Sequence, residues 1–128
     1  MMDFKMKEHG FTTPTEFGKL TISPDNEYGF RPFQLMVASI AGCSANALKL
    51  VLTKMRIDFE DITVSAEAER NEEKANRIEK IHLHFVIKGE NLRQEKIEKA
   101  GAVARNNCGM IQSVQESILV TESFEIVQ

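Results

Sequence analysis

The sequence predicts an α+β domain. Three observations predict it: short runs alternating apolar with polar or charged residues, a nearly uncharged helical stretch opening at Pro32, and a second, amphipathic helical pattern after Asn91. The order reads ββ-α-ββ-α-β, a sandwich in one domain, 1-128, since a chain of 128 residues can bury a modest core by itself.

Each element has its own reason. Phe4-Lys5-Met6-Lys7-Glu8 alternates apolar and charged residues, and Phe17 to Ile22 does so less regularly. With His9 to Pro14 supplying turn chemistry between them, the two runs read as a hairpin. Ser23 to Gly29 is rich in turn formers and carries the chain over the surface. Pro32 opens a helix because its fixed φ and missing N–H suit a first turn, and the pattern runs to about Arg56. Leu35 to Cys43 is apolar nearly all round, which implies burial on several sides, with Gly42 permitting close approach of another helix. Lys49, Lys54 and Arg56 complement the dipole at its far end. Ile62 to Glu69 and Ile78 to Ile87 read as two strands of a meander with one wet face, joined by a charged loop at 71–76. Asn91 is placed to cap a second helix, with Gln94 at the matching third position and Ile97, Ala100, Gly101 and Ala104 as the buried stripe. That helix ends near Cys108, Met110 to Val114 allow one more turn, and Ile118 to Val127 returns to a strand pattern.

Charge narrows the partners. Sixteen Lys and Arg against 19 Asp and Glu leave a net charge of −3, which gives no long-range attraction to nucleic acid or to an anionic membrane. A small or uncharged substrate is the expectation. The start, Met1 to Lys5, lacks an apolar signal core, and the longest uncharged stretch falls short of a membrane span and contains Gln34, Ser39, Ser44 and Asn46. The expected setting is the cytoplasm, where a permanent structural disulfide is disfavoured.

Sulfur carries the candidate chemistry. The only two cysteines, Cys43 and Cys108, fall on or beside two different helices. They are either small buried hydrophobes or a redox pair, in which one thiolate attacks peroxide oxygen and the second thiol rescues the sulfenic acid. His82 and His84 project from one face of a strand, but no further ligand at an obvious spacing completes a metal site, so no metal is assigned. No phosphate-cradling glycine loop is present, and no cofactor is implied.

Gly29-Phe30-Arg31-Pro32-Phe33-Gln34-Leu35, the Ala41-Gly42-Cys43 triplet, and a second cysteine 65 positions later with Met110 just beyond it carry a specific resemblance. Over nearly the whole domain the chain resembles the OsmC/Ohr family. The resemblance implies an OsmC-like sandwich in an intertwined homodimer, two central helices per subunit being covered by antiparallel sheets. It also implies a thiol peroxidase that reduces organic hydroperoxides in the oxidative stress response, with an external dithiol as reductant. Carried over by position, Cys43 becomes the peroxidatic thiol and Cys108 the resolving thiol.

Two departures stand out. Catalytic members of the family supply an arginine from the N-terminal region and hold it with a glutamate directly after the proline; here that position is Phe33, and residues 1–30 contain no arginine. Cys43 lies beyond the first helical turn, so the helix dipole alone cannot activate it and a cation is needed. Arg31 is the nearest substitute, against its reading as a solvated surface charge, and Lys5, Lys7 and Lys19 follow. Arg105, one turn before Cys108, could serve the second thiol or simply complement a helix end. Phe33 and Met110 are candidate substrate-binding residues lining an apolar approach, or core fillers. The alternative function is a non-catalytic relative that binds a small apolar ligand or senses oxidation at the dimer interface.

Overall fold

The computed structural model describes residues 1–128, which divide into two compact units, Met1–Ala38 and Ser39–Gln128. The N-terminal unit is a three-stranded antiparallel sheet of β1 (Lys5–Met6), β2 (Phe11–Pro14) and β3 (Lys19–Ile22), in that order. The segment expected to be a turn is therefore its central strand. The β-branched Thr12 and Thr13 fit a pleated, buried position, and both are buried. The turns fall on either side: the Lys7 amide donates to the Gly10 carbonyl at 2.7 Å, and the Thr15 amide to that of Gly18 at 2.9 Å. Beyond β3, the Asp25 carboxylate accepts from the Glu27 amide at 2.9 Å, and Phe30 returns to bridge Ile22.

Helix α1 spans Pro32–Lys54 and ends two residues before the expected limit, with Arg56 in the left-handed region at φ 57°. Its buried residues form one stripe at i, i+4 spacing, Ile40, Ser44, Leu48 and Leu52. Burial on several sides is not met within the chain: Met36 and Leu50 are exposed, and a Cβ added at Gly42 would meet nothing within 4 Å. As a 23-residue helix α1 is also long and apolar enough, by length and composition, to cross a membrane, which corrects the reading of the uncharged stretch as too short. The same test is passed by the core helix of a soluble protein.

The C-terminal unit is built on a second sheet, β4 (Asp61–Asn71), β5 (Arg77–Lys88) and β6 (Leu119–Val127), with a 3₁₀ turn at Glu72–Lys74 joining the first two. The β4–β5 pair is antiparallel as expected, but β5 and β6 run parallel, so this sheet is mixed. The cause is the connection: α2 (Gln94–Asn106) and α3 (Gly109–Val114) form the crossover that a parallel pairing needs, where a simple meander would reverse the chain. Along β5, Ile81, Leu83, Phe85 and Ile87 point to the core and pair in register with Val120, Glu122, Phe124 and Ile126 of β6.

Helix α2 buries Ile97, Ala100, Gly101 and Ala104, the stripe read from the sequence, and packs on β6. Its start differs. Asn91 takes a left-handed conformation at φ 60°, which breaks the geometry a cap requires, and Arg93 occupies the N-cap position without a side-chain bond. Gln94 instead reaches across to the sheet, its amide donating to the Phe124 carbonyl at 3.0 Å. Gly101 is demanded by the same neighbour, because a Cβ there would stand 2.2 Å from the Phe124 ring.

Candidate active site

The two thiols meet in the C-terminal unit. Cys43 sits in α1, half-buried, and Cys108 is fully buried at the N-cap of α3. Both are free. Burial pushes the Cys108 thiol upward, the amides of Ile111 and Met110 draw it down, and the Cys43 sulfur, facing it, raises it further by hydrogen bonding and charge. Those amides point at the sulfur without closing a capping hydrogen bond. The arrangement therefore couples an accessible thiol to a buried one that stays protonated at neutral pH.

Beside the thiols lies a cluster that the sequence reading did not assemble. Glu122 occupies a core-face position on β6, its side chain only 9% exposed. It accepts a hydrogen bond from Ser44 Oγ of α1 at 3.1 Å and stands 3.9 Å from Arg105 Nη1 of α2. Burial pushes its carboxyl upward, opposed by the Ser44 bond and the Arg105 charge. Arg105 stands in the last turn of α2, at the helix end as expected, and its side chain also approaches Glu122. The signal was present in two alternations: Ser44 falls on the stripe of Ile40, Leu48 and Leu52, and Glu122 falls between Val120 and Phe124.

Of the other expected site residues, Met110 lies half-buried in the first turn of α3, two positions past Cys108. Arg31 and Phe33 belong to the N-terminal unit: Arg31 is exposed immediately before α1, and Phe33 stands in the first turn of α1, 36% exposed. His82 and His84 are hydrogen-bonded on the outer face of the second sheet. His82 engages Thr121 Oγ1 at 2.7 Å and Ser123 Oγ at 2.9 Å, while His84 engages Ser123 Oγ at 2.6 Å and Glu125 Oε1 at 2.9 Å. No group of three or more His, Cys, Asp or Glu is placed to hold a metal ion.

The fold, a long helix followed by a mixed sheet with a helical crossover, is that of a known class. Residues 24–123 match the OsmC-like protein family, and the chain belongs to it. Among individual proteins, it is 29% identical over 97 residues to protein YhfA of Escherichia coli strain K12, covering 75% of this chain and 72% of that protein. Its fold is that of a hypothetical protein from Aquifex aeolicus VF5, with a TM-score of 0.87 at 23% identity over 99% of this chain and 95% of that one. It is likewise similar to the organic hydroperoxide resistance protein OsmC of Legionella pneumophila, with a TM-score of 0.76 at 22% identity over 98% and 96% of the two chains.

Proposed function

We propose that the protein is a thiol peroxidase for organic hydroperoxides, acting in the cytoplasm as a homodimer. The observation that carries this reading is the facing pair of Cys43 and Cys108 in a chain of the OsmC-like family. The Cys43 thiolate attacks the terminal peroxide oxygen, the O–O bond breaks, and the alkoxide leaves as alcohol after taking a proton. Cys43 becomes a sulfenic acid. The Cys108 sulfur then attacks the Cys43 sulfur, expelling water and forming the disulfide. An external dithiol reduces that bond by exchange and is itself oxidised. No bound cofactor enters.

Burial suits the division of labour. A half-buried Cys43 can be reached by a small peroxide, whereas Cys108, buried and held neutral, does not compete for it and waits for the sulfenic acid. On sequence position alone, Arg31 is the candidate activating cation, and Phe33 and Met110 are the candidate apolar surface for the alkyl group. The exposed apolar residues of α1 are covered in a homodimer, which reads α1 as a core helix and not a span.

Phe33 at the family's glutamate position favours a second reading, a non-catalytic protein that binds a small apolar molecule or senses oxidation. One assay separates the two. The protein should consume cumene hydroperoxide with dithiothreitol over many turnovers, and Cys43→Ala should abolish that consumption. Equal, background rates for both proteins would overturn the peroxidase reading in favour of binding.

A further inference from the structure

We propose that Glu122 is the positioning residue that sets the approach of Cys43 to Cys108, by holding the backbone beside each thiol to one strand. The inference rests on the peroxidase reading for its purpose, though not for its geometry. On one side, Ser44, the residue after Cys43 and only 2% exposed, donates its hydroxyl to Glu122 at 3.1 Å. On the other, Arg105 faces the second carboxylate oxygen at 3.9 Å, and the carbonyl of Arg105 accepts the Cys108 amide at 3.2 Å. A single carboxylate thereby links α1 at the attacking thiol to the end of α2 at the resolving thiol.

The chemistry needs such a link. Condensation of a sulfenic acid with a buried thiol requires the two Cα atoms to settle at roughly 4.4–6.8 Å, with the sulfurs aligned for attack. An error of about 1 Å in such an approach can cost on the order of a hundredfold in rate. Elsewhere on this face, Val120, Phe124 and Ile126 meet the core with apolar side chains, and an apolar residue at 122 would continue the pattern without burying a charge. What an apolar residue cannot do is accept from Ser44 and pair with Arg105 together.

The test uses the full chain at 25 °C. The parent, Ser44→Ala, Glu122→Ala and Glu122→Gln are equilibrated in glutathione redox buffers, and the Cys43–Cys108 disulfide is quantified by mass spectrometry, giving the effective concentration of one thiol at the other. Ser44→Ala and Glu122→Ala should lower it about tenfold, by the loss of orientation described above. Glu122→Gln, which still offers Ser44 an acceptor, should restore part of the loss. Glu125→Gln, on the opposite face of the same strand, should stay within about twofold of the parent. Loss of folding stability alone would move melting temperatures without this ranking, because effective concentration is measured in folded protein. A parent that forms no intramolecular disulfide, or a Ser44→Ala variant within about twofold of the parent, overturns the proposal. Failure of the peroxidase reading is distinguishable: the ranking holds in glutathione, yet no hydroperoxide is consumed.

Discussion

Glu122 and Glu125 are three residues apart on β6 and face opposite sides of one sheet. Glu122 points to the core and meets Ser44 and Arg105, whereas Glu125 points outward and meets His84 at 2.9 Å. The residue type is identical; the face decides what it does. On the inner face a carboxylate is taken out of water and must be held by partners, so its position is constrained. Glu125 is more than half exposed and can exchange its partner for water at little cost.

If the two faces differ in this way, adjacent truncations should diverge most on β5. Phe85 is buried and stacked on Phe124 at 5.2 Å between ring centres, while His84 beside it lies on the outer face. Phe85→Ala should cost about 3–5 kcal/mol in urea unfolding. His84→Ala should stay within about 1 kcal/mol of the parent. Equal losses would show that the outer face is buried in solution and would break the contrast. Next in size is Gly101→Ala. The added Cβ would drive into the Phe124 ring, itself backed by Phe85, and the overpacking should cost about 1–3 kcal/mol. A neutral result would mean that α2 rides more loosely on β6 than this contact implies.

Glu122 sharpens the contrast through pH. Its folded carboxyl is pushed above the ordinary 4.5, first by burial, so the folded state binds this proton more tightly than the unfolded chain does. Stability from this group is fully present below about 4.5 and is lost as pH rises through the folded value. Glu122→Gln lacks the titration. The stability of the Gln variant relative to the parent should therefore increase with pH across that window and then level off, as read by urea midpoints at successive pH values. A flat difference would show that Ser44 and Arg105 fully offset the burial.

The same faces explain what was legible beforehand. The α2 stripe of Ile97, Ala100, Gly101 and Ala104 was readable because its period is local, and so were the strands of β4, β5 and β6. The sequence also carried the family, through Pro32 to Leu35, the triplet ending at Cys43, and the spacing to Cys108. The central strand Phe11–Pro14 was missed because it is only four residues long and bounded by the turn formers Gly10 and Pro14, and it is settled only when both flanking strands claim its backbone groups. The parallel β5–β6 pairing depends on a crossover, which no alternation within β6 encodes. Ser44 lies 61 positions before Arg105, and Arg105 17 before Glu122; the alternation of β6 marks Glu122 as inward, but only the fold brings the three together.

The smallest expected effect belongs to the outer face. Ser123 Oγ stands between His82 Nε2 and His84 Nδ1, and its single proton can be donated to one ring at a time. With His84 charged, both its ring nitrogens donate, one to Ser123 and one to Glu125, and Ser123 is free to donate onward to His82. Glu125→Gln removes the carboxylate that faces His84 Nε2 at 2.9 Å. It should cost no more than about 0.5 kcal/mol at low salt, and the cost should fade in 0.5 M salt (on the order of a 4–5 Å screening length) as exposed pairs do. Urea unfolding at the two salt concentrations measures it. A loss above about 2 kcal/mol that salt leaves unchanged would mean that Glu125 is as buried as Glu122 in the assembled protein, and the distinction between the two faces would fail.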